Sequence, residues 1–567
     1  MTKYKSGEAL IDILNVNGVE KIFINPGFEF IDVLSKVAGA RVDGRKSPQL
    51  VLCLDESVTA AAAYGNYMTT GKPQVVMVHS ELGSLQLGGN LQNLQWGRVP
   101  VVIMAAYQET DAKRLLWNGQ PYDQASIVRN SVKFDRKLAG DEDLHEVLTD
   151  AFRIACSEPA GPVYLCFPMS YLYSSLEKPE KPLAAAVPVA LPDVGPEALE
   201  QIADILLDAK APMLVSGNAG RHPGNVSALV SLAETLSASV LTGYSWMNFP
   251  SDHPLCLGIE QIGGSRKKDA GYDEADVILV IDYAMPYVGS APRPRPETKI
   301  IHIDVDPLTQ GRSLWGRGAD IFIKADSRLV IPALDKLLKS KITVSQRAEL
   351  DERFKRLATR SETTRQGWFE AAKKQSGETF VTADYLCYCL NQELDEDAIV
   401  VNHTLSHCAS ATEQIVRTKP GTWFGCPSGA IGWAPGAALG AASADPGKIV
   451  AAVMTDGGFV WGCPTSTLWT AANYRFPFLA VICNNGGYGA IRDVQHEMLG
   501  AGLPDGGFIA ESAVDFRPDY ATIARGAGAV GFTVERPADV QPMLKQALAA
   551  VRNGKPAVLD VRLPYGK

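Results

Sequence analysis

The sequence predicts an α/β protein built as three open parallel-sheet domains with helices on both faces. Three observations carry this. The 567 residues exceed what one hydrophobic core organises, at about 150 residues per domain. Short β-branched runs alternate with helical patterns, as parallel strands joined by helical crossovers require. Two stretches of different composition divide that alternation into three series.

The chain opens on an amphipathic pattern (Ala9, Leu10, Ile13, Leu14) that predicts a helix, with no signal-like apolar run before it. Strands are then expected at "KIFIN" (21–25), "QLVLCL" (49–54), "QVVMVH" (74–79), "VPVVIMAA" (99–106) and "PVYLCFP" (162–168), which places a first domain over residues 1–175. Five prolines from Pro179 to Pro196 mark a stiff, extended linker. A second series, "APMLVSG" (211–217), "ADVILVID" (275–282) and "KIIHIDVD" (299–306), gives a central domain over 195–340. The charged stretch 346–374 reads as a solvated helix. A third series, "AIVVN" (398–402), "KIVAAVMTDGG" (448–458), "FLAVICNN" (478–485) and "AVLDVRL" (557–563), gives a last domain over 375–567.

Composition narrows the partners. A net charge of −9, without a basic run to follow a phosphate backbone, makes nucleic acid an unexpected partner. No apolar run approaches the roughly 18 residues of a membrane span, so no membrane partner and a cytoplasmic location are expected. The ten cysteines lie mostly in apolar runs and are expected to be reduced. Cys387 and Cys389 form a lone C-x-C without a second ligand pair, which favours a helical core over a metal site.

Two turns stand out: "TDGG" (455–458) and "NNGGYG" (484–489), each at the end of an apolar run. In open parallel sheets ligands bind where strands end, because the following turn and helix start present N–H groups there. Asp456 and Asn485 can therefore reach one point beyond the sheet edge, and Gly457 and Gly458 allow close backbone approach to an anion. The Asp456 carboxylate, the Asn485 amide oxygen and the Gly487 carbonyl would offer magnesium three hard oxygens, leaving positions for phosphate and water. Either turn alone reads equally well as a common turn former.

Together, 29 residues apart, the turns resemble the thiamine diphosphate signature of Gly-Asp-Gly, about thirty residues, then Asn-Asn. "LWTAANYRFPFLAVICNNGGYGAIR" is especially similar to the acetolactate synthase and benzoylformate decarboxylase branch. Thr455 replaces the usual first glycine, and the interval is about two residues longer than in many members. The resemblance implies a glutamate on a helix after the second strand of the first domain, and "VLCLDESVTAAAAYGNYMTTGKPQVVMVHS" supplies Glu56 there. It implies that Glu56 activates the cofactor's pyrimidine. It likewise implies cofactor contacts at Leu405 and Ser406 in "VNHTLSH", at Gly429 and the wedging Ile431 in "PSGAIGWAPGAALGAA", and at Asp456, Gly457, Gly458, Asn485, Gly487 and Tyr488. The glycine-rich segment also reads as tight helix packing.

His79 falls where benzoylformate decarboxylase has a catalytic histidine, and a strand-end histidine satisfied by backbone is the alternative. Phe28 and Glu29 take the place of that enzyme's serine turn, and Ile491 stands where pyruvate decarboxylases have a glutamate. Phe28, Glu29, His79 and Ile491 are thus the expected substrate pocket, and simple pyruvate decarboxylation is disfavoured. The resemblance implies a lyase or carboligase, dependent on thiamine diphosphate and Mg²⁺, for a 2-oxo acid or a related 2-hydroxy or acyloin substrate. It also implies a homodimer at minimum, with a homotetramer expected. FAD is not expected, since "SGNAGRHPG" (216–224) is a weak nucleotide signal. A flavin-dependent 2-oxoacid oxidase and a non-catalytic cofactor-binding member are the alternatives.

Overall fold

The computed structural model describes residues 3–107, 123–191, 193–260, 271–284, 293–309, 318–499 and 517–564. The first part of the chain forms β1 (Lys3–Lys5), β2 (Lys21–Asn25), β3 (Gln49–Leu52), β4 (Gln74–Val78), β5 (Val101–Tyr107), β6 (Phe134–Lys137), β7 (Val163–Pro168) and β8 (Ser175–Glu177). The middle forms β9 (Pro212–Ser216), β10 (Ser239–Thr242), β11 (Cys256–Ile259), β12 (Val277–Ile281), β13 (Lys299–Asp304) and β14 (Ile321–Lys324). The last part forms β15 (Ile399–His403), β16 (Trp423–Gly425), β17 (Val450–Thr455), β18 (Leu479–Asn484), β19 (Val530–Val534) and β20 (Ala557–Arg562).

Three six-stranded sheets result, in the orders β3-β2-β4-β5-β7-β6, β11-β10-β9-β12-β13-β14 and β16-β15-β17-β18-β20-β19, while β1 and β8 pair separately. Every pairing within the three large sheets is parallel. In the first and third sheets the chain steps back at the far edge, from β6 to β7 and from β19 to β20, and each of the three sheets carries a reversal of winding between two interior strands, β2 and β4, β9 and β12, and β15 and β17. At such a point neighbouring connections leave toward opposite faces and open a crevice at the strand ends.

The apolar runs read from sequence became interior strands such as β4, β12, β17 and β18, each buried throughout. Strands without a predicted apolar run are the short pair β1 and β8 and, within the large sheets, β6, β10, β11, β14, β16 and β19. All but β10 lie at sheet edges, and β6, β14 and β19 are largely exposed or half-buried. With one side facing solvent, such strands need no continuous apolar run. The charged stretch is a single helix, Val344–Lys374, with Thr343 and Gln346 forming a capping box. Cys387 and Cys389 are buried on the helix Ala383–Glu393, and all ten cysteines are free. No helix among the described residues is long and apolar enough to cross a membrane.

The first and third sheets are joined by two helices, Glu56–Thr70 and Trp433–Ala444, buried along almost their whole lengths. Small residues let their backbones meet. A Cβ on Gly65 would lie 1.9 Å from the Ala437 carbonyl oxygen, and one on Gly440 the same distance from that of Ala62. Asn66 Nδ2 also donates to Ser443 Oγ at 2.9 Å. The first and third domains therefore share one core, and Glu56, the first residue of its helix, stands at the edge of that core.

Candidate functional site

At the reversal point of the third sheet, β17 ends at Thr455 and the chain turns directly into the helix Asp456–Trp461. Thr455 Oγ1 caps that helix by accepting the Gly458 N–H at 3.1 Å, so the residue replacing the usual glycine acquires a structural task. Asp456 Oδ1 accepts the Gly457 N–H at 2.8 Å, and Oδ2 accepts the Gly486 N–H at 3.0 Å. One carboxylate thus ties the two glycine turns together. Asn485 Oδ1 accepts from Gly487 N at 3.2 Å, and the Gly487 carbonyl accepts from Gly489 N at 3.0 Å.

β15, on the other side of the reversal, ends at the Leu405–Ser406 turn, where Leu405 takes the left-handed φ of 45°. A Cβ on Gly489 would lie 2.7 Å from Asn485 Nδ2 and 3.3 Å from Ser406 Oγ. Ser406, Asn485 and the 486–489 turn therefore converge, next to Asp456. Around the Cα of Gly457 and that of Gly429 the space within 4 Å of a Cβ is open.

Burial raises the Asp456 pKa, against the opposing N–H bonds of Gly457 and Gly486 and the Arg517 charge. A divalent cation would remove that penalty by pairing with the carboxylate. One carboxylate, one amide oxygen and backbone carbonyls form a hard-oxygen set without a His, Cys or second acid. In keeping with this, no cluster of three or more such side chains occurs among the described residues. The residues present fit a magnesium ion and a diphosphate.

Two neighbours of this crevice were not legible as such. Arg517 donates to the carbonyls of Asn484, Leu563 and Asn485, each at 3.2 Å, and crowds Gly486 so closely that a Cβ there would lie 2.3 Å from its Nε. Gly486 has a φ of 70°, so glycine is required twice over. His403 is buried at the end of β15, where burial pushes its pKa down to about 4 and keeps the imidazole neutral.

The second crevice lies at the reversal point of the first sheet. β2 leads into a tight turn carrying Phe28 and Glu29, and β4 ends just before His79. Glu29 is 1% exposed, and its Oε1 lies 2.7 Å from His79 Nδ1, an ion-pair contact when the ring is protonated. Phe28 tilts against His79 with ring centroids 6.1 Å apart. Glu56 is buried at the start of its helix, with Asp55 as the cap through Ser57 N at 2.8 Å. Its Oε1 lies 3.1 Å from where a Gly83 Cβ would stand, beside His79 Cβ. Glu81 is also buried here, and neither of its oxygens has a hydrogen-bond partner. That residue was present in "VMVHSELG" but carried no spacing signal.

The 428–432 segment approaches the first domain through Asn93, whose Nδ2 donates to the Ala430 carbonyl at 3.2 Å and whose Oδ1 accepts from Ser428 Oγ at 2.5 Å. Ile431 is half-buried, between the exposed Gly429 and the buried Gly432, which has a φ of 91°. Large apolar side chains stand exposed beside both crevices: Leu54, Leu82 and Leu85 at the first, Trp461 (63%), Tyr488, Ile491 and Met498 (77%) at the other. At the second sheet's reversal point Asn248 binds the turn after β9, accepting from Gly220 N at 2.8 Å and donating to the Gly217 carbonyl at 2.8 Å.

A glycine-lined, oxygen-rich crevice on one sheet and an acid-flanked histidine crevice on another define a cofactor-dependent α/β enzyme. The chain belongs to the thiamine pyrophosphate enzyme family: residues 4–127 match its N-terminal TPP binding domain, 199–334 its central domain and 406–561 its C-terminal TPP binding domain. Within that family it falls in the branch of acetolactate synthase and benzoylformate decarboxylase. It is 26% identical to the acetolactate synthase large subunit of Corynebacterium glutamicum, over 90% of this chain and 80% of that protein. It is also 26% identical to the benzoylformate decarboxylase of Pseudomonas aeruginosa, over 98% of each. Its fold matches the thiamine diphosphate-dependent 4-hydroxybenzoylformate decarboxylase of Rhodococcus jostii RHA1 with a TM-score of 0.78, at 22% identity over 99% of both chains.

Proposed function

We propose that this thiamine diphosphate enzyme is a Mg²⁺-dependent carbon–carbon lyase or carboligase acting on a 2-oxo acid or a related acyloin or 2-hydroxyacyl substrate. The observation that carries the reading is the Asp456 carboxylate bonded across both glycine turns, beside Asn485, at the reversal point of the third sheet. Thiamine diphosphate, when bound, supplies a carbanion that adds to a carbonyl and accepts the electrons of the bond that breaks. Asp456, Asn485 and the Gly487 carbonyl would hold the cation. Leu405, Ser406, Gly457, Gly458 and Tyr488 would border the diphosphate, and Gly429 and Ile431 would take the pyrimidine side.

Glu56 holds the proton that the aminopyrimidine exchanges, and His79 moves a proton to or from the substrate. A histidine suits that role because its ordinary pKa near 6.5 lets it work in both directions at neutral pH. Phe28, Glu29 and Ile491 shape the substrate pocket.

The site is assembled from two chains. The described neighbours of Glu56 and His79 lie in the first domain, those of Asp456 and Asn485 in the third, and each crevice is rimmed by exposed apolar side chains. Large exposed apolar side chains at a crevice rim suit an interface, and a two-fold dimer would bury both rims at once. Turnover of a panel of 2-oxo acids, acyloins and 2-hydroxyacyl thioesters, with thiamine diphosphate and Mg²⁺, tests the reading. Cofactor binding with no turnover of any member would overturn it.

A further inference from the structure

Glu29 is 1% exposed, and a carboxylate taken out of water requires a donor or a cation. The local chain is shaped around that contact. A Cβ on Gly27 would lie 1.9 Å from Glu29 Oε2 and 2.0 Å from His79 Nδ1, so the glutamate folds back across a residue that has no side chain. Tyr173 Oη donates to the Phe28 carbonyl at 2.7 Å and closes the turn from outside. The two partners come from β2 and β4, the strands that flank the first sheet's reversal point.

We propose that Glu29 is the positioning residue of this site: its carboxylate takes the Nδ1 face of His79 and leaves Nε2 as the ring atom that exchanges a proton with substrate. The proposal rests on the functional reading of His79 given above. An ionised carboxylate only accepts, so the Glu29 side of the ring must carry the Nδ1 proton, and Nε2 is left as the acceptor of the neutral imidazole. The charged groups facing the ring are Glu29 from the turn after β2, Glu81 from the helix Glu81–Gln86 and Glu56 from the helix Glu56–Thr70. Contact with Glu29 raises the His79 pKa above 6.5, burial opposes it, and the charges of Glu29, Glu81 and Glu56 add to the rise.

The test uses holoenzyme carrying ¹³C- and ¹⁵N-labelled histidine, with the His79 signals identified by their loss in His79→Gln. In the unsubstituted protein the imidazole should titrate above 6.5, with Nδ1 protonated in the neutral form. In Glu29→Gln the midpoint should fall by about one pH unit, and the limb of the kcat/KM profile that belongs to His79 should move with it. Glu29→Asp should restore part of both shifts, and Gly27→Ala, which drives the carboxylate off the ring, should mimic Glu29→Gln. An unchanged midpoint and tautomer in Glu29→Gln would overturn the positioning role. A midpoint that falls while the kcat/KM profile stays fixed would instead uphold the contact and overturn the proton-exchange role of His79.

Discussion

Replacing Asp456 with alanine separates a ligand-binding role from a folding role. The carboxylate accepts two N–H bonds, from Gly457 at 2.8 Å and from Gly486 at 3.0 Å. Bonds to a charged group contribute about 1.5–3 kcal/mol each, but burial of this carboxylate, which raises its pKa, offsets much of that. The cofactor-free variant should therefore lose only about 1–2 kcal/mol, within the common range for point substitutions. Loading has a larger effect. At a hundredfold excess over Kd a ligand stabilises the native state by about 2.7 kcal/mol, and on the proposed assignment this gain requires a cation paired with Asp456. Scanning calorimetry with and without thiamine diphosphate and Mg²⁺ should show a cofactor-induced rise in Tm for the parent protein and none for Asp456→Ala. An equal rise in both would refute the assignment of Asp456 to the cation.

Other outcomes follow from the same geometry. Glu56→Gln should keep cofactor affinity within about tenfold in titration calorimetry while turnover falls by about 10²–10⁴-fold; unimpaired turnover would remove Glu56 from the chemistry. Gly65→Ala sets a Cβ 1.9 Å from the Ala437 carbonyl oxygen, and should cost about 1–3 kcal/mol by overpacking, read as a lower Tm of the cofactor-free protein. Asp282 is buried beside Asp304, and burial followed by the Asp304 charge pushes its pKa up to about 6. The native chain then keeps a proton that the unfolded chain releases, so this group's contribution to stability falls as pH rises from 3.8 to about 6. Asp282→Asn removes that slope, and unfolding midpoints at several pH values across this window should show the parent losing ground to the variant as pH rises.

How much of this was legible in sequence depends on whether a feature is local. The interior strands were legible because burial on both faces demands unbroken apolar runs such as "VAAVM" and "LAVIC". Edge strands such as β6 and β14 have one solvated side and left no such run. The strand-end placement of Asp456, Asn485 and His79 could be read because each directly follows a strand, and Glu56 because a helical pattern begins there. The contact of Glu29 with His79 joins residues 50 positions apart across a sheet reversal. Arg517 reaches the Asn485 carbonyl from 32 residues further along the same connection between β18 and β19. Glu81 drew no notice because its burial comes from tertiary packing. Such pairings depend on strand order, which local spacing does not encode.

The central claim, that each active site joins Glu56 of one chain to Asp456 of another, is tested most directly by complementation. Glu56→Gln and Asp456→Ala chains, each close to inactive alone, are co-expressed with different tags and turnover of the mixed protein is measured. A two-fold dimer built from one chain of each kind carries one site with both lesions and one with neither, so random pairing should restore about a quarter of the parent turnover. Mixed protein no more active than the single variants would contradict the two-chain site.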